Sequence, residues 1–95
     1  MFVVLLTYVK PMEEVEAVTA QHRAWLDPHV ASGLLIATGP QVPRTGGVLL
    51  ARGGGTKAEL EALLKSDPFQ IAGVASYQVI EFAPGKYHPE MARFL

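Results

Sequence analysis

Lys65-Ser66-Asp67-Pro68-Phe69 is the stretch on which the reading of this chain turns. Proline cannot continue a helix and pushes the residue before it out of the α region, so a helical pattern carried by Leu60, Leu63 and Leu64 has to stop here. Beyond it, Val74 to Phe82 has the composition of a strand. The stretch therefore divides a second helix from a last strand. It also carries Asp67, a carboxylate stiffened by the following proline and flanked by Phe69. As punctuation Asp67 ends a helix; as chemistry it is a fixed acceptor.

Working backwards, Thr56-Lys57-Ala58-Glu59 has the spacing of a capping box, and Gly53-Gly54-Gly55 before it reads as a loop. That loop could offer backbone donors to an anion, but it lacks the spacing of phosphate-binding motifs. Leu34 to Pro40 and Val48 to Ala51 read as two strands joined through Gln41 to Gly47 into a hairpin. At the start, Phe2 to Val9 is apolar at successive positions, which predicts a central strand buried on both faces. Lys10-Pro11-Met12 breaks it, and Glu13-Glu14 suits the positive end of a helix dipole. Val15, Val18, Trp25, Leu26 and Val30 then recur at helical spacing, and Asp27-Pro28 ends this helix or bends it into a final turn closed by Gly33. A core over 1–84 is followed by a tail, 85–95, whose Glu90 to Leu95 can form one helical turn.

The order β, α, β, β, α, β predicts one α+β domain over 1–95. It is the ferredoxin-like βαββαβ fold, a four-stranded antiparallel sheet with two helices on one face. Two helices cover one sheet face only, yet the strands are apolar on both. A homodimer or higher homo-oligomer, with sheets packed face to face as in a dimeric α/β barrel, is therefore expected. At 95 residues and 49% hydrophobic, the chain supports one core. Its net charge of -1 gives no cationic surplus for nucleic acid, and no apolar run reaches membrane-spanning length. The absence of cysteine excludes disulfides and thiolate catalysis. Met1 to Tyr8 lacks the features of a signal peptide, so a cytoplasmic protein with no membrane partner is the expectation.

His22 is the candidate around which chemistry gathers. At about 100° per residue it falls about 20° from Val15, inside the apolar stripe, and His29 shares that stripe. A histidine there needs a polar partner. Either a backbone carbonyl satisfies it, or a carboxylate accepts from Nδ1 and leaves Nε2 free as a general base. Asp67 is the leading carboxylate; Asp27 lies about 140° away on the wheel. His22 is about 13 Å into its helix, so a bond requires the loop at Asp67 to fold back over it. A zinc site from His22, His29 and His88 is disfavoured, because seven-residue spacing separates the helix histidines by about 10 Å. Tyr8, at the end of the first strand, either lines a pocket or simply packs.

His22 followed by Trp25-Leu26, then Gly33-Leu34-Leu35 leading to Gly39-Pro40, then Asp67-Pro68-Phe69 before the final strand, resembles the YciI-like (YCII-related) family. The resemblance covers Met1 to about Pro84 and implies a dimeric ferredoxin-like α/β barrel. It implies a site built on His22 and Asp67, with Gly39 and Pro40 near the pocket; beside them Tyr8, Ser66 and Phe69 are candidate substrate contacts of this chain. No cofactor and no metal are implied. Chemistries associated with the family and its fold type, dehydrochlorination of a chlorinated hydroxyhydroquinone and lactone isomerisation, share proton movement on a small cyclic molecule. The expectation is a cofactor-independent lyase or isomerase with His22 as acid or base. The alternative is a small-ligand-binding or regulatory dimer without turnover.

Overall fold

Alternation along the first strand sets the sheet. In the computed structural model, which describes residues 1–95, β1 (Phe2–Tyr8) points Phe2, Val4 and Leu6 into the core, where each is at most 2% exposed. The next elements are α1 (Met12–Ala31), β2 (Leu35–Pro40) and β3 (Gly46–Ala51). They are followed by α2 (Lys57–Leu64), a four-residue α3 (Pro68–Ile71) and β4 (Ala75–Glu81). A 3-10 helix, Pro89–Phe94, ends the chain. The four strands form one antiparallel sheet in the order β2-β3-β1-β4, so β1 is central, as its composition predicted, and the fold is ferredoxin-like.

One hydrophobic cluster joins Phe2, Val4, Leu6, Leu35, Leu49, Ala51 and Ala75 of the sheet to Val15, Leu26, Leu60, Leu64 and Phe69 of the helices. All three helices therefore lie on the same side. Burial of β1 on both faces is not found within the chain: Val3 and Leu5, which alternate outward, are only half covered. They pair with Leu50, Val48 and Ile80, forming an apolar strip across the face without helices.

The helix limits follow local chemistry. α1 runs through Pro28, which sits in its last turn, and Gly33 closes it with a positive φ of 82° that a side chain would disfavour. Its stripe is shorter than predicted, since Val30 is 44% exposed. Thr56 caps α2 by accepting from the Glu59 amide at 3.1 Å and donating to the Glu59 carboxylate at 3.2 Å. At Gly46 the chain passes so close to β1 that a Cβ would lie 1.7 Å from the Leu6 carbonyl oxygen. Only glycine permits that approach, and it brings the β2–β3 hairpin turn over the end of β1.

The extra element is α3. Between the end of the second helix and the last strand the sequence marks no further helix, but Pro68 opens one, its fixed φ fitting the first helical position. No helix of the chain is long and apolar enough to cross a membrane. Leu64 is 2% exposed and ties α2 to the sheet. Leu64→Ala is expected to lower the unfolding free energy by ~2–5 kcal/mol. Urea denaturation measures this, and a cost below ~1 kcal/mol would mean α2 contributes little to the core.

Candidate active site

The chain folds back where the site required it. α2 stops at Leu64, the amides of Ser66 and Asp67 donate to Leu63 and Leu64 carbonyls, and Asp67 turns into an extended conformation as the N-cap of α3. Its Oδ1 accepts from the Phe69 amide at 3.0 Å. α3 then packs on α1, which carries Asp67 to the middle of that helix.

There Asp67 Oδ1 lies 2.7 Å from His22 Nδ1, and Asp67 Oδ2 accepts from the Tyr77 hydroxyl on β4. Asp67 is 0% exposed and His22 9%. Three donors from α1, α3 and β4 thus converge on one buried carboxylate. Burial, reinforced by the bond to Asp67, pushes the Tyr77 phenol far above its ordinary pKa, so it serves as a neutral donor. With Asp67 acting as the acceptor of this bond, Nδ1 is the donor, and in that tautomer of the neutral ring Nε2 presents a lone pair. Nε2 has no partner in the chain, yet it is not sealed in: the one buried side-chain polar atom lacking a hydrogen bond is Gln70 Oε1. Nε2 opens instead to a cavity that His22 lines.

Phe69 fixes the imidazole plane. The two rings stack with centroids 3.8 Å apart and planes 4° from parallel, and Tyr8 meets Phe69 edge-on at 6.0 Å. The Asp-Pro-Phe stretch therefore holds His22 twice, by its ring nitrogen and by its face.

The cavity, about 280 Å³, has an apolar floor of Leu6, Leu26, Leu49 and Phe69. Tyr8, Thr19, Thr38, Gly39 and Pro40 line it as well, and Arg23 and Arg44 bring cationic groups. It lies near the low end of the roughly 300–1,000 Å³ range of small-molecule sites. Among the residues predicted from sequence, His22, Tyr8, Gly39, Pro40 and Phe69 line this space, and Asp67 lies behind His22. Ser66, expected as a substrate contact, is not in the lining. Its hydroxyl accepts from Trp25 Nε1 at 2.9 Å and donates to the Leu63 carbonyl at 2.7 Å, tying the loop to α1. His29 stacks edge-on against Trp25 at 4.7 Å, and Asp27 is exposed. No three His, Cys, Asp or Glu side chains gather closely enough to hold a metal ion.

Sequence reading missed Tyr77, Arg23 and Arg44. A signal existed for Tyr77, whose place on an alternating strand turns its ring inward and obliges its hydroxyl to find a partner. Arg44 sits in a turn, where no periodicity tells where a side chain points.

A family model for the YCII-related domain matches residues 1–83. No curated protein matches the sequence. Among solved structures, the chain is similar to 5-chloro-2-hydroxyhydroquinone dehydrochlorinase from Burkholderia phenoliruptrix, determined in complex with 2,5-dihydroxybenzoquinone. The TM-score is 0.69 and the identity 21%, over 87% of this chain and 94% of that one. At that identity the likeness is one of fold.

Tyr77→Phe removes the donor to Asp67 Oδ2 while preserving the ring. It is expected to destabilise the protein by ~1–3 kcal/mol in urea unfolding, as for a buried acceptor left unpaired. An unchanged midpoint would mean that another donor satisfies this oxygen.

Proposed function

The chain belongs to the YCII-related domain family, and we propose that it is a cofactor-independent enzyme of lyase or isomerase type, acting on a small cyclic organic molecule. His22 is its general acid and base, and Asp67 is a positioning residue acting through His22. The observation that carries this reading is the opening of Nε2 into an apolar-floored cavity while Nδ1 is held by a buried carboxylate. Nε2 takes a proton from an acidic C–H or O–H of the ring. The released electron pair is delocalised onto a ring oxygen, giving an enolate or phenolate. Isomerisation follows when His22 returns the proton to another ring atom; elimination follows when the electron pair expels a leaving group. Asp67 stabilises the imidazolium formed on the way and keeps Nε2 aimed at the cavity.

The reading includes a homodimer. The strip of Val3, Leu5, Val48, Leu50 and Ile80 lies on the face opposite the helices, where no part of the core cluster covers it. Packing this face against that of a second copy removes the strip from water and gives a closed two-fold contact. Sedimentation at micromolar concentration is expected to give a dimer, and Leu5→Lys to shift it to monomer. A wild-type monomer would rule the contact out.

Catalysis is tested with a panel of small phenols, enols and lactones in deuterated buffer, with isotope incorporation followed by NMR. Exchange or turnover by the wild type is expected to fall ~10²–10⁴-fold in His22→Ala. Asp67→Asn is expected to lower kcat more than it raises KM, because it disturbs the imidazole rather than the bound ring. Equal rates in wild type and His22→Ala would remove His22 from the mechanism. Saturable binding without exchange anywhere in the panel would favour a binding protein.

A further inference from the structure

The cavity wall is electrically one-sided. Of its thirteen lining residues, Arg23 and Arg44 are permanently charged, and neither aspartate nor glutamate is present. The only contact in the chain between a carboxylate and a basic side chain within salt-bridge distance is that of Asp67 with His22, so both guanidinium groups lack a carboxylate partner. Glu16, on α1, is the acidic group that Arg44 senses, and it too lies beyond salt-bridge distance. Unpaired arginines on a surface are ordinary. Two of them bordering one cavity, with the histidine at its inner wall, are not explained by fold stability.

Arg44 is also placed by its surroundings. Its loop is fastened at several points: the Tyr8 amide donates to the Thr45 carbonyl at 3.0 Å, and the Gln41 amide to the Gly46 carbonyl at 2.9 Å. The Gln41 side chain donates to the Leu6 carbonyl at 3.2 Å. Arg44 Nε donates to the Tyr8 hydroxyl at 3.3 Å, and the guanidinium lies 5.8 Å from the Tyr8 ring centroid. With Nε engaged, the two terminal nitrogens remain as a fork of donors, the geometry that a carboxylate or enolate matches.

We propose that Arg44, oriented by Tyr8 and aided by Arg23, is the anion-recognition element of this cavity, so that its ligand is a small ring bearing an ionised carboxylate or acidic enolate. The apolar floor takes the ring face, and the charged oxygens meet the guanidinium groups. This deepens the catalytic reading and rests on it only in calling the ligand a substrate. In that reading, the same cations stabilise charge that develops on the ring oxygen when His22 removes a proton.

The test is binding, measured by calorimetry and by NMR on the full chain. The probes are benzoate for a carboxylate, tropolonate for an acidic enolate and benzamide as an uncharged ring of similar shape. Wild type is expected to prefer at least one anionic ring over benzamide by about tenfold or more, and which anion binds better identifies the oxygen group. Arg44→Gln is expected to abolish that preference by weakening the anionic rings far more than benzamide, and Arg44→Lys to restore part of it. Tyr8→Phe is expected to weaken it partly. Equal affinity for charged and uncharged rings, retention of the full preference in Arg44→Gln, or no saturation by either anion up to about 10 mM would each overturn the proposal. The preference is expected to survive His22→Ala, which has no proton acceptor at that position. Loss of exchange with the preference intact therefore bears only on catalysis, and loss of the preference with exchange intact bears only on anion recognition.

Discussion

A carboxylate with no exposure to water has to be satisfied by the protein, and the arrangement around Asp67 follows from that constraint. An ionised group buried without partners costs several kcal/mol, more than most single contacts return. The chain meets the requirement with donors from three separate elements: the His22 ring on α1, the Phe69 amide opening α3 and the Tyr77 hydroxyl on β4. The carboxylate is thereby a tertiary joint. It pins a helix, a turn and an edge strand to one point, and none of the three can shift without leaving the buried carboxylate a donor short.

That joint determines what the cavity can offer. Because Nδ1 is committed to Asp67 and the ring face to Phe69, His22 has neither rotation nor tilt to spare, and Nε2 keeps one direction. Preorganisation of this kind lowers the cost of reaching a reactive geometry. The cavity floor is made by core side chains already held by packing, while its rim is made by the β2–β3 hairpin turn, fastened over β1 at the close approach of Gly46. A rigid interior thus carries the proton-handling group, and a tied-down surface loop carries charge.

Much of this was legible in the chain because it depends on local chemistry. Helical periodicity alone placed His22 among apolar residues, where it needed a partner. The Asp-Pro dipeptide alone ended α2. Thr56 and Glu59 marked a helix start, and the succession of elements fixed the topology, since a sheet with β1 central is the compact way to join them. Asp67 was the leading partner for His22 on the residues alone, and the resemblance to the YCII-related family pointed to the same two residues. Ser66 shows the limit of transferring a neighbourhood: it follows Lys65 into the same loop, but its hydroxyl faces Trp25 rather than the cavity.

By itself, then, the sequence determined the four strands and the two longer helices, their order, the buried histidine and the rigid aspartate, because these are set by spacings of a few residues and by proline's fixed geometry. Only the tertiary structure decided that the two meet. The joining step is α3, four residues long and too short for any periodic signal, which folds the chain back over α1. The structure likewise decided that Tyr77 completes the carboxylate's shell and that Arg44 faces the cavity. Each depends on a contact between residues far apart in the chain, and such a contact is fixed by the packing of whole elements rather than by the composition of any one of them.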